Sequence, residues 1–246
     1  MSAIFDAYDF PVDSMVEFYQ RIDKTITFPD GMTTSLGIMY WGRDEHLAEI
    51  RRAMPVLIDN GALRFSDLLQ ATRTPLRSRK LSEQTAIPKE TLRILNHDIE
   101  MWLPKPVSLD EIQRFQGRQD RMDVFSRVGL CDQLAVISAG QTPSQREELA
   151  SKANLDIATT DKIVKLCDYC RTGKNLQHIR AKIYYKMGMD TWQKWAEQDS
   201  ATIIAMFAEY AYKNHLDGER LLPWPKEVRN GIEWAKMHLE IYAVQS

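Results

Sequence analysis

Three short stretches of this 246-residue chain carry residue types that could do chemistry. Cys167-x-x-Cys170 sets two thiols one helical turn apart, with His178 and Cys131 as further donors. Structural zinc takes four such ligands at paired spacing. A second pair is missing, Cys131 would have to come from another element, and a free cysteine on an apolar helix face is an ordinary core residue. His97-Asp98, joined by His46 and by Asp161 or Asp168, offers the imidazoles and carboxylates with which metal ions activate a water for phosphoester hydrolysis. Arg171-Thr172-Gly173-Lys174 has the ending of a phosphate loop. The glycine needed five positions before Gly173 is Asp168, however, and the residue after the lysine is Asn175. No Gly-x-Gly-x-x-Gly or Gly-x-Ser-x-Gly pattern occurs. The expectation is no catalytic residue, no metal site and no cofactor, with a metal-dependent phosphohydrolase as the remote alternative.

The elements that must position these residues are helices. Hydrophobic residues make up 44% and charged residues 27%, ordinary values for a globular chain. Lysine and arginine number 32 against 34 acidic residues, a net charge of −2 that gives no strong sequence-independent attraction to phosphate backbones. No apolar stretch approaches the roughly 18 residues of a membrane helix, and the N-terminus lacks the layout of a signal peptide. Three cysteines do not make a disulfide framework, so a cytoplasmic protein with no membrane contact is expected.

Residues 1–42 are the least regular. Met15, Phe18, Tyr19 and Ile22 stand at helical spacing within Ser14–Lys24, capped by Asp13 or Ser14; a turn at Phe28-Pro29-Asp30-Gly31 and an apolar, aromatic stretch from Gly37 to Gly42 follow. This reads as a helix and an extended arm. From Asp44 onward helix signals dominate. Ala48, Met54, Leu57 and Ile58 mark a helix that stops at Asn60-Gly61; Thr74-Pro75 starts another, and Leu92, Leu95, Ile99 and Trp102 share one face of a helix over Lys89–Trp102.

The same order then recurs. Thr74 follows Gly61 by 13 residues, as Thr142 follows Gly129; Leu81 and Leu149 each follow by 20, and Asp98 and Asp168 by 37 and 39. Gly188 starts a more divergent third copy, which ends in a helix over Lys226–Tyr242. The expected architecture is all-α: tandem repeats stacked into one elongated helical body, with an irregular N-terminal arm. The expected divisions are 1–42, 43–108, 109–172 and 173–246.

The stretch Asn175-Leu176-Gln177-His178-Ile179-Arg180 through Tyr185, Gly188-Met189-Asp190-Thr191 and Ala196 resembles a helix-hairpin-helix unit. Its alternation with a Thr-Pro-x-x-Arg-x-x-Leu segment resembles an uncharacterised bacterial family, a domain of unknown function, of tandem, degenerate helix-hairpin-helix repeats. The resemblance covers roughly residues 45–240. It implies an architecture rather than an active site, and it makes Asp98 and Asp168 structural residues that cap or bond local backbone. Helix-hairpin-helix modules that hold DNA use a Gly-hydrophobic-Gly hairpin whose backbone approaches phosphate. The matching stretches here are Ala48-Glu49-Ile50-Arg51, Gln116-Gly117-Arg118-Gln119 and Asn175-Leu176-Gln177-His178, and only Gly117 survives.

A non-enzymatic interaction or assembly protein is therefore expected, with a protein partner or self-association through the N-terminal arm. The alternative is a nucleic-acid-binding protein using the basic run Arg73, Arg77, Arg79 and Lys80. Aromatic residues gather late, from Tyr184 to Tyr242, and any surplus left exposed on the last repeat would form a binding face.

Overall fold

The fold, obtained as a computed structural model, is described over residues 3–23, 43–115, 122–171, 179–217 and 221–245. Among these residues the chain is all-α, with fifteen helices. Helix α1 (Ala3–Tyr8) belongs to a compact unit that is completed by Leu103–Ser246, while Asp9–Trp102 forms a separate unit. The Asp9–Trp102 unit holds α2 (Ser14–Arg21), α3 (Arg43–Asp59), α4 (Phe65–Thr72), α5 (Pro75–Thr85) and α6 (Lys89–Trp102). The other unit continues with α7 (Leu109–Phe115), α8 (Asp123–Arg127), α9 (Gln133–Ala139), α10 (Pro143–Ala153) and α11 (Ile157–Tyr169). It ends with α12 (Ile179–Lys186), α13 (Trp192–Glu197), α14 (Ser200–Lys213) and α15 (Pro225–Ile241).

One local geometry occurs three times. Gly61, Gly129 and Gly188 have φ of +87°, +88° and +99°, a left-handed conformation that L side chains rarely adopt. At each, the next residue's N–H reaches back to the carbonyl four residues before the glycine: Ala62 to Leu57, Leu130 to Phe125 and Met189 to Tyr184, at 2.9–3.0 Å. The glycine N–H bonds the carbonyl three residues before it, at Ile58, Ser126 and Tyr185. This is the Schellman stop, which satisfies carbonyls that the ending helix leaves open. Nothing lies within 4 Å of a Cβ added at any of the three, so substitution there meets a conformational cost alone. Gly61→Ala, Gly129→Ala and Gly188→Ala are each expected to cost about 1–2 kcal/mol. Urea unfolding checks this, and an unchanged midpoint at any of them would refute it for that turn.

Three residues after each glycine comes the position preceding a short helix, occupied by Arg64, Asp132 and Thr191. Asp132 and Thr191 cap α9 and α13 by accepting from Ala135 N and Lys194 N. Next, Thr74 and Thr142 cap α5 and α10 with proline in the first helical position, while Asp199 caps α14 through Ala201 N and Thr202 N. Left-handed residues follow at Ala86, Asn154 and His215, and then the long helices α6, α11 and α15. Isolated bridges pair Pro11 with Arg64 and Ser108 with Asp132, so a segment ahead of α2 and one ahead of α7 meet matching cap positions.

The core of the Asp9–Trp102 unit contains Phe18, Tyr19, Ile50, Met54, Leu57, Phe65, Leu68, Leu92, Leu95, Ile99 and Trp102. Helix α3 buries His46, Ile50, Ala53, Met54 and Leu57, whereas Ala48, expected on the apolar face, is exposed. Ala48-Glu49-Ile50-Arg51 lies inside this continuous helix and forms no hairpin. The expected turn at 28–31, the stretch 37–42, Gly117 and the hairpin residues 175–178 fall outside the described residues.

Candidate functional site

The unit formed by 1–8 and 103–246 contains a buried polar cluster centred on Arg171, whose side chain is fully buried. The sequence makes this an expensive position, since a guanidinium cannot shed its proton and must find acceptors. It finds four. Arg171 pairs with the Asp168 carboxylate three residues earlier, and its Nε also donates to the Asp168 carbonyl at 3.3 Å. Its Nη1 donates to the Tyr8 hydroxyl and to the Tyr242 carbonyl, both at 2.7 Å. The guanidinium carbon stands 6.0 Å and 5.5 Å from the ring centroids of Tyr8 and Tyr242.

Proton positions follow from these partners. Arg171 can only donate, so the Tyr8 oxygen accepts from it and uses its own proton to reach His238 Nδ1, 2.7 Å away. His238 on α15 is then a neutral imidazole with its proton on Nε2. Burial and the nearby Arg171 charge hold its pKa well below the ordinary histidine value. Burial pushes the Tyr8 phenol up to about 12. Burial also lifts the Asp168 carboxyl above its usual range, against the pull of Arg171. Trp192 closes the cluster: its indole donates to the Asp168 carbonyl at 2.8 Å, and its ring lies 4.5 Å from His238. Helices α1, α11, α13 and α15 are thus tied together at one point.

Beside this cluster lies a cleft of about 810 Å³, lined by α11, the start of α13 and the tail after α15. Asp168 and Trp192 reach its wall. Two ion pairs stand in its wall, Lys165 with Asp161 at 2.7 Å and Lys194 with Asp190 at 2.5 Å, and the buried Arg146 behind it also holds Asp161 at 3.0 Å.

The expected site residues are distributed as follows. Asp98 and Asp168, expected to be structural residues that cap or bond local backbone, each bond a side chain. Asp98, 4% exposed, accepts from the buried Tyr19 hydroxyl, and Tyr19 in turn packs edge-on to His46, ring centroids 4.8 Å apart. His97 is exposed while its neighbour Asp98 is buried, so the pair does not converge. Among the described residues no three of His, Cys, Asp and Glu group as metal ligands. His178 lies outside them. Arg73, Arg77, Arg79 and Lys80 are all exposed; Arg77 donates to the Gln70 carbonyl and Arg79 pairs with Glu83.

Cys167 and Cys170 are buried and Cys131 is exposed. Burial, with the neighbouring Asp168 charge, raises both buried thiols well above the ordinary range. In the native protein Cys131 alone is expected to react promptly with Ellman's reagent, with Cys167 and Cys170 reacting only on denaturation. Rapid native titration of more than one thiol would contradict this burial.

Tyr8, His238 and Tyr242 were not recognisable as a cluster. His238 and Tyr242 stand four residues apart in the sequence, but nothing in it ties them to Tyr8 or Arg171. Comparison with protein-family models, curated proteins and solved structures gave no match. Among the described residues, no helix is long and apolar enough to cross a membrane.

Proposed function

We propose that this chain is a non-enzymatic interaction or assembly protein of the cytoplasm, built on degenerate helix-hairpin-helix-like repeats. The three matching Schellman turns support the repeat. One observation carries the function: the third copy exposes large aromatic side chains where the other two carry small or polar groups. Tyr212, 84% exposed, stands three residues before the left-handed His215. Glu83 and Ser151 hold the matching positions before Ala86 and Asn154. Trp224, 73% exposed, precedes α15 where Pro88 and Asp156 precede α6 and α11. Aromatic residues left in water at the end of a repeat array mark a docking face.

The test compares the wild type with a Tyr212→Ala/Trp224→Ala variant as bait in extract of the native host, read by quantitative mass spectrometry. A stoichiometric partner lost from the variant, with an unchanged circular dichroism spectrum, is expected. Salt-sensitive DNA or RNA binding that weakens on substituting Arg73, Arg77, Arg79 and Lys80 would favour the nucleic-acid reading instead. Phosphoester turnover lost on changing His97 or Asp98 would overturn both.

A further inference from the structure

The Asp168 carboxylate leaves one atom unused. Its Oδ1 is bound by Arg171, and among the described residues no donor reaches Oδ2. The residue is only 8% exposed, and it stands in the wall of the cleft beside α11. Oδ2 is not among the atoms sealed inside the protein, so it opens onto that cleft. Trp192 cannot serve it, because the indole N–H already donates to the Asp168 carbonyl. Only what fills the cleft can supply the donor, and a sheltered acceptor rewards whatever brings one. Burial holds the carboxyl above its usual range for the same reason.

We propose that this cleft binds a neutral small molecule through a carboxamide, whose N–H donates to Asp168 Oδ2 and whose carbonyl accepts from Lys165. Asp161, Lys165 and Asp168 stand at i, i+4 and i+7 on α11, and all three line the cleft. Lys165 gives one N–H to Asp161 at 2.7 Å and keeps two more. A donor and an acceptor about 4.5 Å apart along the helix axis thus share one wall. A carboxamide answers that pair with an acceptor and a donor on a single carbon. Leu166, Trp192, Leu239 and Val244 give the rest of the molecule an apolar wall. At about 810 Å³ the cleft falls within the roughly 300–1,000 Å³ of small-molecule sites.

Charge selects against the two ionised analogues of an amide. A carboxylate would meet Oδ2 itself, with Asp161, Asp190 and Glu197 in the same wall. A cation would gain Asp168 but also meet Arg171, which is fully buried and already neutralises that carboxylate, and Lys162, Lys165 and Lys194 around it. Neither Tyr212 nor Trp224 lines the cleft, so this site and the aromatic docking face fail separately.

The full chain near neutral pH is titrated with four probes of similar shape, read by saturation-transfer NMR: benzamide, N,N-dimethylbenzamide, benzoate and benzamidine. Benzamide is expected to bind with a dissociation constant on the order of 1 mM, the strength of a small fragment. The dimethyl amide, which has no N–H to give, and both ions should bind at least about tenfold more weakly. Asp168 is left intact, since its loss strands Arg171. Lys165→Met, at a partly exposed side chain, should weaken benzamide about tenfold. Ala243→Phe, at an exposed tail residue lining the cleft, should fill it and abolish binding. Both variants should keep the wild-type circular dichroism spectrum. No benzamide binding up to roughly 20 mM, equal binding of the dimethyl amide, tighter binding of either ion, or binding that survives Ala243→Phe would each overturn the proposal.

Discussion

Asp168→Asn is expected to lower the free energy of unfolding by about 3–5 kcal/mol, the cost of leaving a buried charge without its counterion. The reasoning starts at Arg171, which is fully buried and held among Asp168, Tyr8 and Tyr242. Asparagine keeps the shape and one acceptor but removes the negative charge, and the guanidinium cannot respond by losing its proton. The intact pair is a different matter. Burial lifts the Asp168 carboxyl despite Arg171, so desolvation outweighs the attraction at this carboxylate. Asp168→Leu with Arg171→Met should therefore recover much of what Asp168→Asn loses, short of full recovery because the Tyr242 carbonyl loses its donor. Urea unfolding followed by tryptophan fluorescence measures both. A single variant as stable as the wild type would mean that the charge is not confined.

The second large effect concerns acid. His238 is neutral in the folded protein, its pKa held well below 6.5 by burial and by Arg171. A base with a depressed folded pKa binds its proton more readily when unfolded. Its contribution to stability is therefore complete above about 6.5 and declines as pH falls toward the folded value. The slope is at most about 1.4 kcal/mol per pH unit, so the wild type should lose stability through this residue at up to that rate as pH falls below 6.5. Asp168 acts in the opposite sense. With its folded pKa raised, its contribution is present at low pH and lost as pH rises. The difference between wild type and His238→Asn isolates the histidine, because asparagine can still accept from Tyr8 near the Nδ1 position. Parallel stability curves for the two proteins would show that His238 takes up its proton without unfolding.

The parts of this fold that could be read in advance are those fixed by local chemistry. Gly61, Gly129 and Gly188 were recognisable because a left-handed helix stop selects glycine, and Thr74 and Thr142 because a hydroxyl followed by proline suits a helix start. The helix over Lys89–Trp102 followed from its apolar spacing and is found with those bounds. Helix α1 could not be read. Six residues are too short for a periodic signal, and α1 is held through Ile4 and Tyr8, which are buried by packing set elsewhere in the chain. Arg171 misled for a related reason. Beside Gly173 and Lys174 it suggested an anion loop, while its acceptors include residues 163 positions before and 71 after it. The phase of α3 was misjudged because His46, a polar residue, occupies a core position that Ala48 had been expected to fill.

The Tyr8 clamp also sets an order of events when the chain is made. Residues 9–102 leave the ribosome with every segment of their unit at hand and can fold as they emerge. Helix α1 is synthesised before them, yet its partners Arg171 and His238 come 163 and 230 residues later. Helix α1 first meets a surface when α9 is made, and the Tyr8 hydrogen bonds are complete only once His238 follows. While those partners are still to be made, Ile4 and Tyr8 stay uncovered, a natural handle for a chaperone.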